Sequence, residues 1–208
     1  MPSPIRGLYT IADNSFRAEL TPVQLAEFYL RGGARVVQLR IKKDEPRATS
    51  HERLKKMATA IMQLKQQYNF TFLINDHVDV ALEVGADGVH VGADDMAVAA
   101  VRKKVGPKML IGYSSHSLEE ARAAQKAGAD YVAFGAIFST KTKGPGHPVQ
   151  GLEKLQEVVQ ALSVPVVAIG GIGRNNFQQV RETGAAAIAM ITALTNASDI
   201  VEEVRRFL

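Results

Sequence analysis

A single (β/α)8 barrel, the TIM-barrel member of the α/β class, is the fold this sequence predicts, as one domain over residues 1–208. Three observations predict it. Short Val- and Ile-rich runs alternate with amphipathic segments from one end of the chain to the other. The runs are apolar on both faces, as strands of a parallel sheet covered by helices have to be. Finally, Gly-Ala recurs at Gly33-Ala34, Gly85-Ala86, Gly128-Ala129 and Gly184-Ala185, each time between a helix and an even-numbered strand. Glycine there supplies a left-handed helix cap, and alanine lets the next strand pack closely. A repeat at every second βα unit is what a barrel of double units leaves behind. A doubly wound open sheet is the alternative, but it usually has fewer strands in a chain of this length.

In chain order, the first strand is LYTIAD (8–13), and the segment TPVQLAEFYLRGG after it has helical periodicity. The second strand is RVVQLRIK (35–42), the third FTFLIND (70–76) and the fourth GVHV (88–91). MLIGYSS (109–115) is the fifth, and the helix after it opens SLEEA, with Ser117 and Glu120 spaced for a capping box. YVAFGAI (131–137), VPVVAIGGI (164–172) and AIAMIT (187–192) complete the set.

Composition narrows the function classes. Hydrophobic residues make up 46% and charged residues 22%, ordinary values for a soluble globular chain. The absence of cysteine excludes disulfides, thiolate nucleophiles and Cys-based metal sites. The net charge of +4 is scattered over helix faces, so no nucleic-acid stripe is expected. No apolar run reaches the roughly 18–20 residues of a membrane span. The N-terminal stretch lacks the pattern of a signal peptide, so a cytoplasmic location is expected. Whether the chain is a monomer or a homo-oligomer stays open.

In a barrel of this class the strand C-terminal ends face one mouth, where the chemistry is placed. Gln38, Arg40 and Lys42 alternate along the second strand and so share a face, which reads as an anion clamp. A salt-bridged strand end is the structural alternative. Asn75 and Asp76 end the third strand, and Asp94 and Asp95 follow the fourth. Carboxylates and basic residues without a soft ligand describe a hard cation that shares a substrate's phosphates, as Mg2+ does. The spacings of His77, His90 and His116 match no zinc motif, and His90 fits the barrel core or wall. Ser114, Ser115 and His116 end the fifth strand, as phosphate ligands or as the start of the next helix. FSTKTKGPGHPVQG follows the sixth, where Thr140, Thr142, Lys143 and glycines permit close approach to an anion. The seventh and eighth strands end in AIGGIG and MIT, a pattern for a phosphate site of backbone N–H groups that includes Gly171, Ile191 and Thr192. No Ser-His-Asp set or mid-strand Schiff-base lysine stands between the two anion sites.

LYTIAD, VQLRIK, INDHVDVALEVGADGVHVGADD, IGYSSHSLEEA, GADYVAFGAIFSTKTK, PVVAIGGI and AMITAL, in this order, resemble the thiamine-phosphate synthase family over nearly the whole chain. That family joins 4-amino-2-methyl-5-(diphosphooxymethyl)pyrimidine to a thiazole or carboxythiazole phosphate and releases diphosphate. The resemblance implies Gln38, Leu39, Arg40, Ile41, Lys42, Asn75, Ser114 and Lys143 as the pyrimidine diphosphate site. It implies Thr140, Lys141, Thr142, Gly171, Ile191 and Thr192 as the thiazole phosphate site, and Asp76 and Asp95 as ligands of Mg2+. Arg40, Lys42, Ser114 and Lys143 are the catalytic expectation, in a dissociative displacement. Two alternatives remain: a thiazole tautomerase on the same barrel, for which His116 speaks, and a non-catalytic phosphate-binding barrel.

Overall fold

A computed structural model describes residues 3–41, 47–140 and 148–208, and of residues 47–50 the backbone alone. Eight parallel strands close in sequence order: β1 (Gly7–Ala12), β2 (Val36–Leu39), β3 (Thr71–Asn75), β4 (Gly88–Val91), β5 (Leu110–Ser115), β6 (Tyr131–Gly135), β7 (Val166–Ile169) and β8 (Ala187–Met190). Closure is made by β1 against β8, with Gly7 opposite Ala187 and Thr10 opposite Met190. Around them run α1 (Pro22–Gly32), α2 (Arg47–Gln63), α3 (Val78–Val84), α4 (Val98–Val105), α5 (Leu118–Lys126), α6 (Gly151–Ala161), α7 (Phe177–Glu182), α8 (Thr192–Thr195) and α9 (Ile200–Arg205). Among the described residues, no helix is long and apolar enough to cross a membrane.

The Gly-Ala steps do what the pattern predicts. Gly33, Gly85, Gly128 and Gly184 have φ of 102°, 68°, 99° and 83°, a region that costs an L-residue steric strain and glycine almost none. Two of the steps continue into an aspartate with a repeated task. Asp87 accepts the Phe72 N–H at 2.6 Å and the Lys65 ammonium at 2.6 Å. Asp130 accepts the Ile111 N–H at 2.7 Å and pairs with Arg102 at 2.5 Å. Each carboxylate ties the base of its own strand to the strand before, at the end of the barrel away from the mouth.

Side-chain alternation splits the interior in two. Leu39, Phe72, Ile74, Val89, Ile111, Val132, Phe134 and Ala168 point outward into the layer between sheet and helices. Tyr9, Ile11, Val36, Leu73, Tyr131, Ala133, Val167, Ala187 and Ala189 fill the barrel itself. Burying each large apolar side chain stabilises the fold by on the order of 1.5–3 kcal/mol.

Several boundaries differ from expectation. β2 ends at Leu39, so Arg40 lies beyond the ladder rather than in it. β8 ends at Met190, and Thr192 is helical rather than extended. Ile191, at φ −120° and ψ −84°, turns the chain out of the sheet between them. The capping box of α5 is half formed: Ser117 accepts the Glu120 N–H at 3.1 Å, but the Glu120 carboxylate accepts from the His116 N–H, at 2.7 Å.

Candidate active site

The mouth holds a cavity with about 770 Å³ of empty space, counting the part open to solvent. Gln38, Arg40, Asn75, His90 and Ser114 line it from the β2–β5 arc, and Gly171, Ile191 and Thr192 from the β7–β8 arc. Thr140 reaches it from the segment after β6. Gln38, Arg40, Asn75, Ser114, Thr140, Gly171, Ile191 and Thr192 are thus brought to one place, whereas Asp76, Asp95, Leu39 and Ile41 are not among the residues that line it.

On the β2 side, Gln38 is buried and points inward. Arg40 is tied to Asp13 at the tip of β1, whose side chain is only 1% exposed against 25% for the guanidinium. Asp13 also accepts the Ser15 N–H at 2.8 Å. The salt-bridged strand end is thus realised, and it does not by itself exhaust Arg40, because a guanidinium has five N–H donors and can serve an acid on one edge while offering the other. Leu39 and Ile41 depart from expectation. Leu39 is wholly buried in the outer core, so any contact it makes with a substrate has to come from the main chain, and half-buried Ile41 packs against the same core. Lys42, Lys141, Thr142 and Lys143 lie outside the described residues.

The acidic tips come from adjacent strands. Asn75 is opposite His90 in the β3–β4 ladder, and the Asp76 N–H donates to the His90 carbonyl at 2.8 Å. Asp76 has φ of 63°, the one positive φ at a non-glycine residue among those described. Such a conformation costs of order 1 kcal/mol or more and is held where the surroundings demand it. Asp95 accepts the Gly92 N–H at 2.9 Å, which fixes its carboxylate in the turn after β4. Asp94 is exposed and caps nothing: the residue before α4 is Ala97, without a side-chain cap. Among the described residues, no group of three or more acidic or histidine side chains gathers as a metal cage. By donor chemistry, two carboxylates with hard oxygens fit a cation that takes its other ligands from water and phosphate, as Mg2+ does.

Along β5 the three candidates separate. Ser114 faces the cavity and meets His90 Nε2 at 2.8 Å. Ser115 is buried on the other face and donates to the Ala133 carbonyl at 3.3 Å. His116 Nδ1 donates to the Gly135 carbonyl at 2.7 Å, bracing the end of β6.

The glycines after β7 have two separate reasons. A Cβ on Gly170 would lie 2.6 Å from Ala136 Cβ, and one on Gly171 would lie 2.6 Å from the Ser139 carbonyl oxygen. Both also have positive φ, 104° and 67°. Close packing against the exit of β6 thus requires them, apart from any ligand. Asn176 braces the turn, accepting the Gly173 N–H at 2.8 Å and donating to the Gly171 carbonyl at 3.0 Å.

Sequence reasoning missed Asp13 and the tyrosines below the cavity. Asp13 had a signal, since LYTIAD ends an apolar strand in a carboxylate just as FTFLIND does. Tyr9 and Tyr131 meet hydroxyl to hydroxyl at 2.9 Å, and Tyr131 reaches His90 Nδ1 at 3.0 Å. Burial holds both phenols above their ordinary pKa, so they keep their protons.

Comparison with known proteins agrees over almost the whole chain. The sequence model of the family described as thiamine monophosphate synthase matches residues 8–194. A thiamine-phosphate synthase of Pyrococcus furiosus is 41% identical over 204 residues, covering 97% of this chain and 94% of that one. One of Shouchella clausii is 42% identical over 195 residues, covering 93% and 90%. The solved thiamine phosphate pyrophosphorylase of Pyrococcus furiosus superposes with a TM-score of 0.86 at 37% identity, over 97% of this chain and 93% of that structure.

Proposed function

The chain belongs to the thiamine monophosphate synthase family, and from that premise we propose how its mouth divides the work of the synthase reaction. The reaction joins the pyrimidine diphosphate to the thiazole phosphate. The C–O bond between the pyrimidine methylene and diphosphate breaks, and its electron pair leaves with diphosphate. The 4-amino group feeds electron density into the methylene carbon meanwhile, and the thiazole nitrogen closes the new C–N bond. Such a step needs a stabilised leaving group and an aligned nucleophile more than it needs a side-chain base.

The observation that carries this reading is one cavity with cationic and amide side chains on the β2–β5 arc and glycine-rich backbone on the β7–β8 arc. Arg40, with Lys42 and Lys143, takes up charge on the departing diphosphate. Gln38 and Asn75 orient the pyrimidine, and Ser114 donates to it or to its diphosphate. Gly171, Ile191 and Thr192, with Thr140, Lys141 and Thr142, receive the thiazole phosphate. The apolar wall of Ile11, Ile169, Ala189 and Met190 keeps water from the electron-poor carbon until nitrogen reaches it.

Asp76 and Asp95 would hold Mg2+, which supplies charge neutralisation to the diphosphate when bound. The tautomerase alternative leaned on His116, and that ring is committed through Nδ1 to the Gly135 carbonyl. Incubating the purified protein with both substrates, with and without Mg2+, and weighing the product by mass spectrometry tests the reading. Thiamine phosphate should form only with the metal, and Asp76→Asn, which tolerates the same backbone conformation, should cut turnover severely. Undiminished turnover in chelator, or in the Asn variant, would refute the metal site.

A further inference from the structure

Four polar groups run in file through the barrel from its floor to the mouth: Tyr9 Oη, Tyr131 Oη, the His90 ring and Ser114 Oγ, with gaps of 2.9, 3.0 and 2.8 Å. Each phenol has one proton to give, and a neutral imidazole gives from one nitrogen and accepts at the other. The file can therefore run in only two directions. If Ser114 donated to His90, the ring would donate to Tyr131 and Tyr131 to Tyr9. The Tyr9 proton would then be last in line, and among the described residues its hydroxyl meets no acceptor but Tyr131. A protonated imidazolium fails in the same way, since it too would donate to Tyr131. A buried donor without an acceptor is rarer and costlier than an acceptor with a spare lone pair.

Run in the other direction, every proton is placed. Tyr9 donates to Tyr131, Tyr131 donates to Nδ1, and Nε2–H donates to Ser114 Oγ. The hydroxyl proton of Ser114 is then the only one left, and it faces the cavity.

A second observation shows that space is reserved for this file. Gly112, on β5 opposite His90, would as alanine place its Cβ 2.1 Å from Tyr131 Cζ and 2.4 Å from His90 Nδ1. No positive φ calls for glycine there. The missing side chain is what lets ring and phenol meet.

We propose that Tyr9, Tyr131 and His90 are positioning residues that fix the polarity of Ser114, making its hydroxyl a dedicated donor to an acceptor atom of the pyrimidine diphosphate. The identity of that acceptor rests on the synthase reading; the direction of the file does not. With one Oγ lone pair taken by the ring, the hydroxyl proton is turned away from His90 before substrate arrives.

Two measurements test it. A long-range 1H–15N spectrum of the labelled wild-type protein should show His90 protonated at Nε2 and bare at Nδ1. The opposite tautomer, or protons on both nitrogens, overturns the proposal. Calorimetric binding of the pyrimidine diphosphate with Mg2+, without thiazole so that nothing turns over, supplies the second readout. Tyr131→Phe should weaken binding by about tenfold in the wild-type background and leave it unchanged in a Ser114→Ala background. Equal weakening in both would make Tyr131 merely structural and overturn the proposal. If Tyr131→Phe does not fold, the tautomer decides alone. Wild-type protein with the expected tautomer but no affinity for the diphosphate ester would sink the synthase reading and leave the file standing.

Discussion

Replacing Arg40 by methionine separates what that residue does for the fold from what it does for the substrate. Its partner Asp13 has a side chain 1% exposed and holds the Ser15 N–H as well, so without the guanidinium a carboxylate is left buried with one neutral donor. Breaking such a pair from one side costs about 3–5 kcal/mol. Arg40 itself is 25% exposed, which puts the pair in the less desolvated part of that range, about 3 kcal/mol. In a chain of this size that lowers the melting temperature by about 6–12 °C. The double variant Asp13→Asn, Arg40→Met removes the stranded charge and keeps an acceptor for Ser15, so most of the lost stability should return. Catalysis should not return with it. A charge-assisted contact to the leaving diphosphate is worth about 1.5–3 kcal/mol, or roughly ten- to a hundredfold in kcat/KM, and both variants lack it. Thermal melts by circular dichroism and initial rates of thiamine phosphate formation check the two halves. An Arg40→Met protein that melts with the wild type, or a double variant that recovers turnover, would refute the reasoning.

Two further predictions concern backbone strain and pH. Asp76→Gly relieves a φ of 63° and should raise the melting temperature by about 2–4 °C while Mg2+-dependent turnover is lost; a lower melting temperature would mean that the side-chain contacts outweigh the strain. Glu203 is buried at 4% exposure, and Arg174, with Arg206 behind it, holds its carboxyl below the usual glutamate range. A depressed acid stabilises the fold fully above its ordinary value of about 4.3 and loses that contribution as pH falls through the depressed one. Glu203→Gln should therefore melt below the wild type at pH 7, with the gap closing as pH drops through about 4 and below. A gap of constant width down to acid unfolding contradicts that sign.

The parts of this molecule that were legible in its sequence are those set by neighbours along the chain. Gly33, Gly85, Gly128 and Gly184 announce left-handed caps because the strain they relieve is local. Gln38, Asn75 and Ser114 at the ends of β2, β3 and β5 announce a mouth because alternation within one strand fixes their direction. What escaped depends on which strands become neighbours. Arg40 meets Asp13 only because the β1–β2 register puts Ala12 beside Leu39, which sequence alone does not give. Tyr9 and Tyr131 sit on strands that face each other across a closed barrel, and each by itself reads as an ordinary strand former. The helical turn at Thr192 escaped for a different reason, since a β-branched residue after an apolar run favours the extended state until Ile191 breaks the ladder.

The two arcs of the mouth are made rigid by different means, and that bears on how the reaction is served. On the β2–β5 arc, proposed above for the diphosphate, side chains are braced within the protein itself: Arg40 by Asp13, Ser114 by His90 and Asp95 by the Gly92 N–H. Each brace removes reorganisation from the step in which charge moves onto the leaving group, where fixed donors are worth most. On the β7–β8 arc, proposed above for the thiazole phosphate, the main chain is braced instead, with Gly170 and Gly171 pressed on the exit of β6 and Asn176 clasping the turn. On the proposed reading, a nucleophile carrying a phosphate needs position more than charge compensation, and a braced backbone holds position. On that reading the division matches the chemistry: a bond-breaking half that develops charge, and a bond-making half that has only to be in place.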